Sequence, residues 1–132
     1  MNIDMLVQQI ASYRGWPMVR TQPGAFKIEV ATTQGRTQVV QIHTGRDPDG
    51  RPMAFIWSVI CEVSGIGDPY YLLRLNADLA YGALAVRDRN VILVETQLIE
   101  SADAEEVTRA VFYVARYADD LEKQVYGDED LN

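Results

Sequence analysis

Met53-Ala54-Phe55-Ile56-Trp57-Ser58-Val59-Ile60-Cys61-Glu62-Val63 is the longest apolar β-type run in the chain, and its reading decides the fold. Successive side chains of a strand point to opposite faces of a sheet. Phe55, Trp57, Val59 and Cys61 therefore share one face, and Ile56 and Ile60 share the other. A strand that is apolar on both faces lies at the centre of a sheet, or where a second surface covers it. A two-layer monomer cannot cover both faces. One set is expected to be exposed, and a contiguous exposed apolar patch marks a protein interface. Phe55, Ile56, Trp57 and Ile60 are the candidate partner or dimer surface.

Upstream, Asp47-Pro48-Asp49-Gly50 reads as a turn, with proline presetting φ and glycine taking the left-handed corner. Asp47 and Asp49 also suggest half of a calcium loop, but Arg51-Pro52-Met53-Ala54-Phe55 supplies none of the further ligands. Before the turn, Thr37–Thr44 is β-rich, and Phe26, Ile28 and Val30 alternate with Lys27 and Glu29. Thr33-Gln34-Gly35-Arg36 joins these two runs as a hairpin. Residues 18–21 are a candidate edge strand. Ile3, Leu6, Val7, Ile10 and Tyr13 fall on one helical face, with Asn2 as a possible cap and Gly15-Trp16-Pro17 as the stop.

Downstream, Asp68-Pro69 is a helix start, and the helix is expected to run through Tyr71, Leu72, Leu75 and Leu79. Strands near 80–87 and 91–98 follow, joined at Asp88-Arg89-Asn90. Ser101 or Asp103 opens the last helix, Asp103 with Glu106 fitting a capping box, and its apolar face holds Val107, Val111, Val114, Ala118, Leu121 and Val125. Gly127 is the expected stop. The reading is a single α+β domain over 1–126, with an acidic tail over 127–132. Its order is α-β-β-β-(β)-α-β-β-α, an antiparallel sheet of about five to six strands flanked by three helices.

Composition narrows the function. The 132 residues carry a net charge of −7, and no two Lys or Arg residues are adjacent. Nucleic-acid affinity rests on cations facing phosphates, so DNA and RNA are not expected partners. Asp119, Asp120, Glu122, Asp128, Glu129 and Asp130 face Lys123 alone, which reads as a solvated helix end and tail. A basic or amphipathic partner would also suit that end. No stretch reaches the length a membrane span needs, and no leader is visible, so the expected setting is cytoplasmic.

Catalytic groups are sparse. There is one cysteine, Cys61, and one histidine, His43. A thiol–imidazole pair would require neighbouring strands and a depressed thiol pKa. Two such side chains are too few for a zinc site. Gly65-Ile66-Gly67 lacks the rest of a phosphate loop. No cofactor, metal or enzymatic activity is expected. Trp16, Trp57, Tyr70, Tyr71 and Tyr81 could line a groove, although aromatics at these spacings more often fill a core.

The short helix "LLRLNADL" leads into "AYGALAVRDRNVILVETQL", and "DAEEVTRAVFYVARYADDLEKQV" closes the chain. Together these resemble the YbjN-type domain family and, at fold level, the class I chaperones of type III secretion, the CesT-like group. Asn76, Gly82 and the apolar last helix carry the resemblance. It implies a compact α+β domain that dimerises and binds an extended segment of a partner by apolar grooves and strand addition, without ATP or chemistry. The expected function is thus a homodimeric, chaperone-like or adaptor-like module. The alternative is a small-ligand sensor or regulatory domain.

Overall fold

In the computed structural model, which describes residues 2–126, the strands form one antiparallel sheet in the order β1-β2-β3-β4-β6-β5. The elements are α1 (Ile3–Arg14), β1 (Met18–Gln22), β2 (Ala25–Ala31), β3 (Thr37–Arg46), β4 (Pro52–Glu62), α2 (Pro69–Asn76), β5 (Ala83–Arg87), β6 (Asn90–Leu98) and α3 (Ala104–Tyr126). The fold is α+β, and β1 is the additional strand, lying at an edge. The 53–63 run forms β4 as far as Glu62, flanked by β3 and β6, while Val63 begins a short 3-10 turn. Gly127 and the acidic tail lie outside the described residues.

The helix starts follow from local chemistry. Asn2 Oδ1 accepts the Met5 amide at 2.9 Å, Asp68 Oδ1 accepts the Tyr70 amide at 3.0 Å, and Asp103 Oδ1 accepts the Glu106 amide at 2.7 Å. Each satisfies an amide that has no partner within the helix. Gly15, at φ 71°, closes α1.

α2 is shorter than its apolar pattern suggests, ending at Asn76 rather than continuing through Leu79. The reason lies in Asn76 itself. Its Oδ1 accepts the Leu84 amide at 2.5 Å and its Nδ2 donates to the Leu84 carbonyl at 3.4 Å, which ties the end of α2 to β5. Gly82 sits at φ 81° with its amide donating to Glu95, so the chain turns there and β5 begins only at Ala83.

The helices lie on one face of the sheet. α3 packs across β3, β4 and β6, with α1 beside it. Their apolar faces meet Phe26, Ile28, Val30, Val40, Ile42, Ile56 and Leu93 in one core. A buried ionic network pins α3 to the β2–β3 turn. Gln34 and Gly35 turn the chain through positive φ, so that Arg36 reaches α3. Arg36 Nε lies 2.8 Å from Asp119 Oδ1, and its guanidinium lies 3.6 Å from Glu122 Oε1. The Thr32 hydroxyl donates to Asp119 Oδ2 at 2.9 Å, and Lys123 Nζ stands 3.9 Å from the same carboxylate.

This corrects the expectation of a solvated helix end, because Asp119 and Glu122 are fully buried. Their i, i+3 spacing places both on the inner side of α3. Removing one partner of a buried ionic group leaves an uncompensated charge, at a cost of about 3–5 kcal/mol. Arg36→Ala is expected to lose stability in that range by urea unfolding at neutral pH. A loss below 1 kcal/mol would contradict the pinning role.

Candidate partner-binding face

β4 divides its side chains between two environments. Ile56 and Ile60 point to the helix layer and are 0% and 2% exposed. Ser58 lies between them, fully buried, donating to the Val39 carbonyl at 2.7 Å and accepting from Gln38 Nε2 at 3.0 Å. Met53, Phe55, Trp57 and Val59 are half-buried on the opposite, open face. The expected surface of Phe55, Ile56, Trp57 and Ile60 therefore splits. Phe55 and Trp57 belong to the open face, whereas Ile56 and Ile60 are core, because the alternation that exposes one pair buries the other.

Cys61 also departs from simple alternation. The register slips between Val59 and Cys61, and this bulge leaves Cys61 buried beside Ile60 rather than on the row of Trp57. Burial pushes its thiol pKa up, and the Glu122 carboxylate adds to the shift. His43 pairs in register with Phe55, well away from Cys61 along β4, so no thiol–imidazole pair forms.

Four side chains organise the middle of the open face. His43 stacks on Phe55 with ring centroids 5.2 Å apart and planes 9° apart. The Trp57 indole Nε1–H donates to His43 Nδ1 at 3.2 Å. The Arg87 guanidinium lies over the Trp57 ring, 5.0 Å from its centroid. Gly45 makes room for Phe55, since a Cβ there would run into the Phe55 ring. Beside the cluster, a cavity of about 360 Å³ opens toward the β1–β2 turn, with Gln41, His43, Thr44, Trp57 and Arg87 among its walls.

The other aromatics do not form one groove. Trp16 is core, Tyr70 and Tyr71 lie on α2, and Tyr81 stacks on Tyr113 of α3 at 4.8 Å. The Asp47 turn satisfies itself, as Asp47 Oδ1 accepts the amides of Asp49 and Arg51 at 2.9 and 2.8 Å. Among the described residues, no group of three or more His, Cys, Asp or Glu side chains is placed to hold a metal ion. No described helix is long and apolar enough to cross a membrane. The arrangement brings together aromatic surface, an imidazole and a guanidinium.

Sequence reasoning missed Arg87. Its place on the open face follows from strand period, but its reach across β6 to Trp57 depends on strand order, which no local pattern encodes. No protein-family model matches the chain, and no curated protein matches it.

Burial lowers the His43 pKa below its ordinary 6.5, and the Arg87 charge lowers it further. The unfolded imidazole takes up a proton near 6.5 while the folded one resists, so falling pH favours the unfolded state. Stability is expected to decline as pH drops from 6.5 toward the native value, and His43→Gln should flatten that slope. Identical slopes by urea unfolding would contradict it.

Proposed function

We propose that this protein is a non-enzymatic protein-binding module, chaperone-like or adaptor-like, that works as a homodimer and holds an extended segment of a partner. The observation that carries the reading is the outer row of β4: Met53, Phe55, Trp57 and Val59, half-buried on the face away from the described helices. Val39 on β3 and Val94 and Leu98 on β6 widen that row into a patch across β3, β4 and β6. Such a patch favours protein contact over solvent. Its centre has the composition of an interface hot spot, with tryptophan and arginine held in place by neighbours.

A dimer needs a second surface. Tyr70 and Leu73 on α2 are 68% and 62% exposed, and Val86 on the edge strand β5 is 59% exposed. These lie at one end of the sheet, where β5 also offers unpaired main-chain groups for strand addition. We assign self-association to this end and partner binding to the open face.

One observation favours a small-ligand sensor instead. A cavity of about 650 Å³ between α1 and α3 is walled by Tyr13, Arg14, Arg109, Phe112 and Tyr113. It is a wide groove between helices.

Sedimentation and capture test the proposal together. The protein is expected to sediment as a dimer at tens of micromolar, and immobilised wild type should retain one protein from its source lysate in a fixed ratio. A folded Phe55→Asp variant should retain none. A monomer, or equal retention by both baits, would contradict the reading.

A further inference from the structure

The segment between β4 and β5 is held differently from the other helices. α1 and α3 each bury a row of apolar side chains, whereas α2 buries none. Leu72 and Leu75 are half-buried, and Tyr70, Tyr71 and Leu73 are exposed. An eight-residue helix is too short to be stable by itself, so packing must hold it. α2 packs chiefly on β5, a strand of five residues at the edge of the sheet.

Its ties are few. From Ile66 to Ala80, only two side chains among the described residues make hydrogen bonds to other elements. The Tyr71 hydroxyl donates to Gln124 Oε1 at 2.8 Å, at the surface, and Asn76 makes its two bonds to the Leu84 backbone. The Arg74–Asp68 pair, at 3.5 Å, stays within α2 and its cap. Gly67 stands just before the helix and Gly82, at φ 81°, closes the turn after it. Few buried contacts and exposed hydrogen bonds mark a segment that opens locally, and small residues at its ends serve as hinges.

What α2 covers is apolar. Leu72 and Leu75 close over a slot walled by Ile60, Cys61, Leu84, Val91 and Leu121, and its free volume of about 10 Å³ leaves no room for a guest. All five of those wall residues are buried. Cys61 is the chain's one cysteine, so its thiol reports access to the slot.

We propose that α2 is a hinged lid, which swings away from β5 while the sheet, α1 and α3 stay folded, and so uncovers the apolar slot over Cys61. The lid sets how much apolar surface the β5 end of the sheet presents. It goes beyond the partner-binding reading and does not rest on it.

Thiol labelling of the full chain with iodoacetamide, followed by mass, tests the lid. Opening a lid exposes little surface, so the labelling rate should be nearly flat at low urea. Labelling through global unfolding would instead climb with the full urea dependence of the unfolding transition. Two kinds of variant separate the cases. Asn76→Ala cuts the tie to β5 and should speed labelling about tenfold, the effect of two hydrogen bonds. Should that chain fail to fold, Tyr71→Phe, altered at the surface, takes its place, with about threefold expected. Val7 is buried under α1, away from the slot. Val7→Ala should therefore lower global stability and leave labelling within about twofold of wild type.

A wild-type rate that follows the global urea dependence would overturn the lid. So would a rise in Val7→Ala that matches its loss of stability, or no rise in the folded lid variant. None of these results bears on capture by the open face, which is tested by Phe55→Asp.

Discussion

Every feature of this molecule depends on one constraint: a six-stranded sheet with its helices on a single side. Strand side chains alternate, so each strand must give half of its residues to the helix layer and half to the open face. β4 meets that constraint with apolar residues in both halves. The inner half, led by Ile56 and Ile60, is locked against α3. Among the described residues, the outer half, led by Phe55 and Trp57, packs against its neighbours in the sheet. Core packing and half-exposed apolar surface thus occupy alternate positions of the same eleven residues, Pro52–Glu62.

The polar groups sort by the same rule. On the helix side, Asp119 and Glu122 are buried against Arg36, where their purpose is to hold α3 in register with the β2–β3 turn. On the open side, His43 and Arg87 are arranged around Trp57, where burial and the nearby guanidinium lower the imidazole pKa. One set is costly to disturb because its charges are out of water. The other remains within reach of solvent and of a partner. The acidic composition that looked like a solubility device therefore includes two carboxylates that are structural.

Local chemistry was the legible part. The caps at Asn2, Asp68 and Asp103, the turns at Gly35 and Gly50, and the α+β order can all be read from residue types a few positions apart. What stayed hidden depends on contacts distant in sequence. Arg36 meets α3 across a separation of 83 residues, and nothing near Asp119 signals that its carboxylate is buried. The early end of α2 depends on Asn76 binding the backbone of Leu84. The candidate surface was legible as a strand but not as a face, because only the placement of the helices decides whether Ile56 or Trp57 looks inward. The bulge after Val59 hid the position of Cys61 in the same way.

The central claim is that the inner row of β4 folds the protein and the outer row is free to bind. Urea unfolding of Ile56→Asp beside Trp57→Asp tests it most directly. Burying an unpaired charge in the core is expected to abolish the cooperative transition of Ile56→Asp. Trp57→Asp should keep a cooperative transition and lose no more than about 2 kcal/mol, the scale of a partly exposed substitution. Loss of the transition in Trp57→Asp, or its survival in Ile56→Asp, would contradict the account.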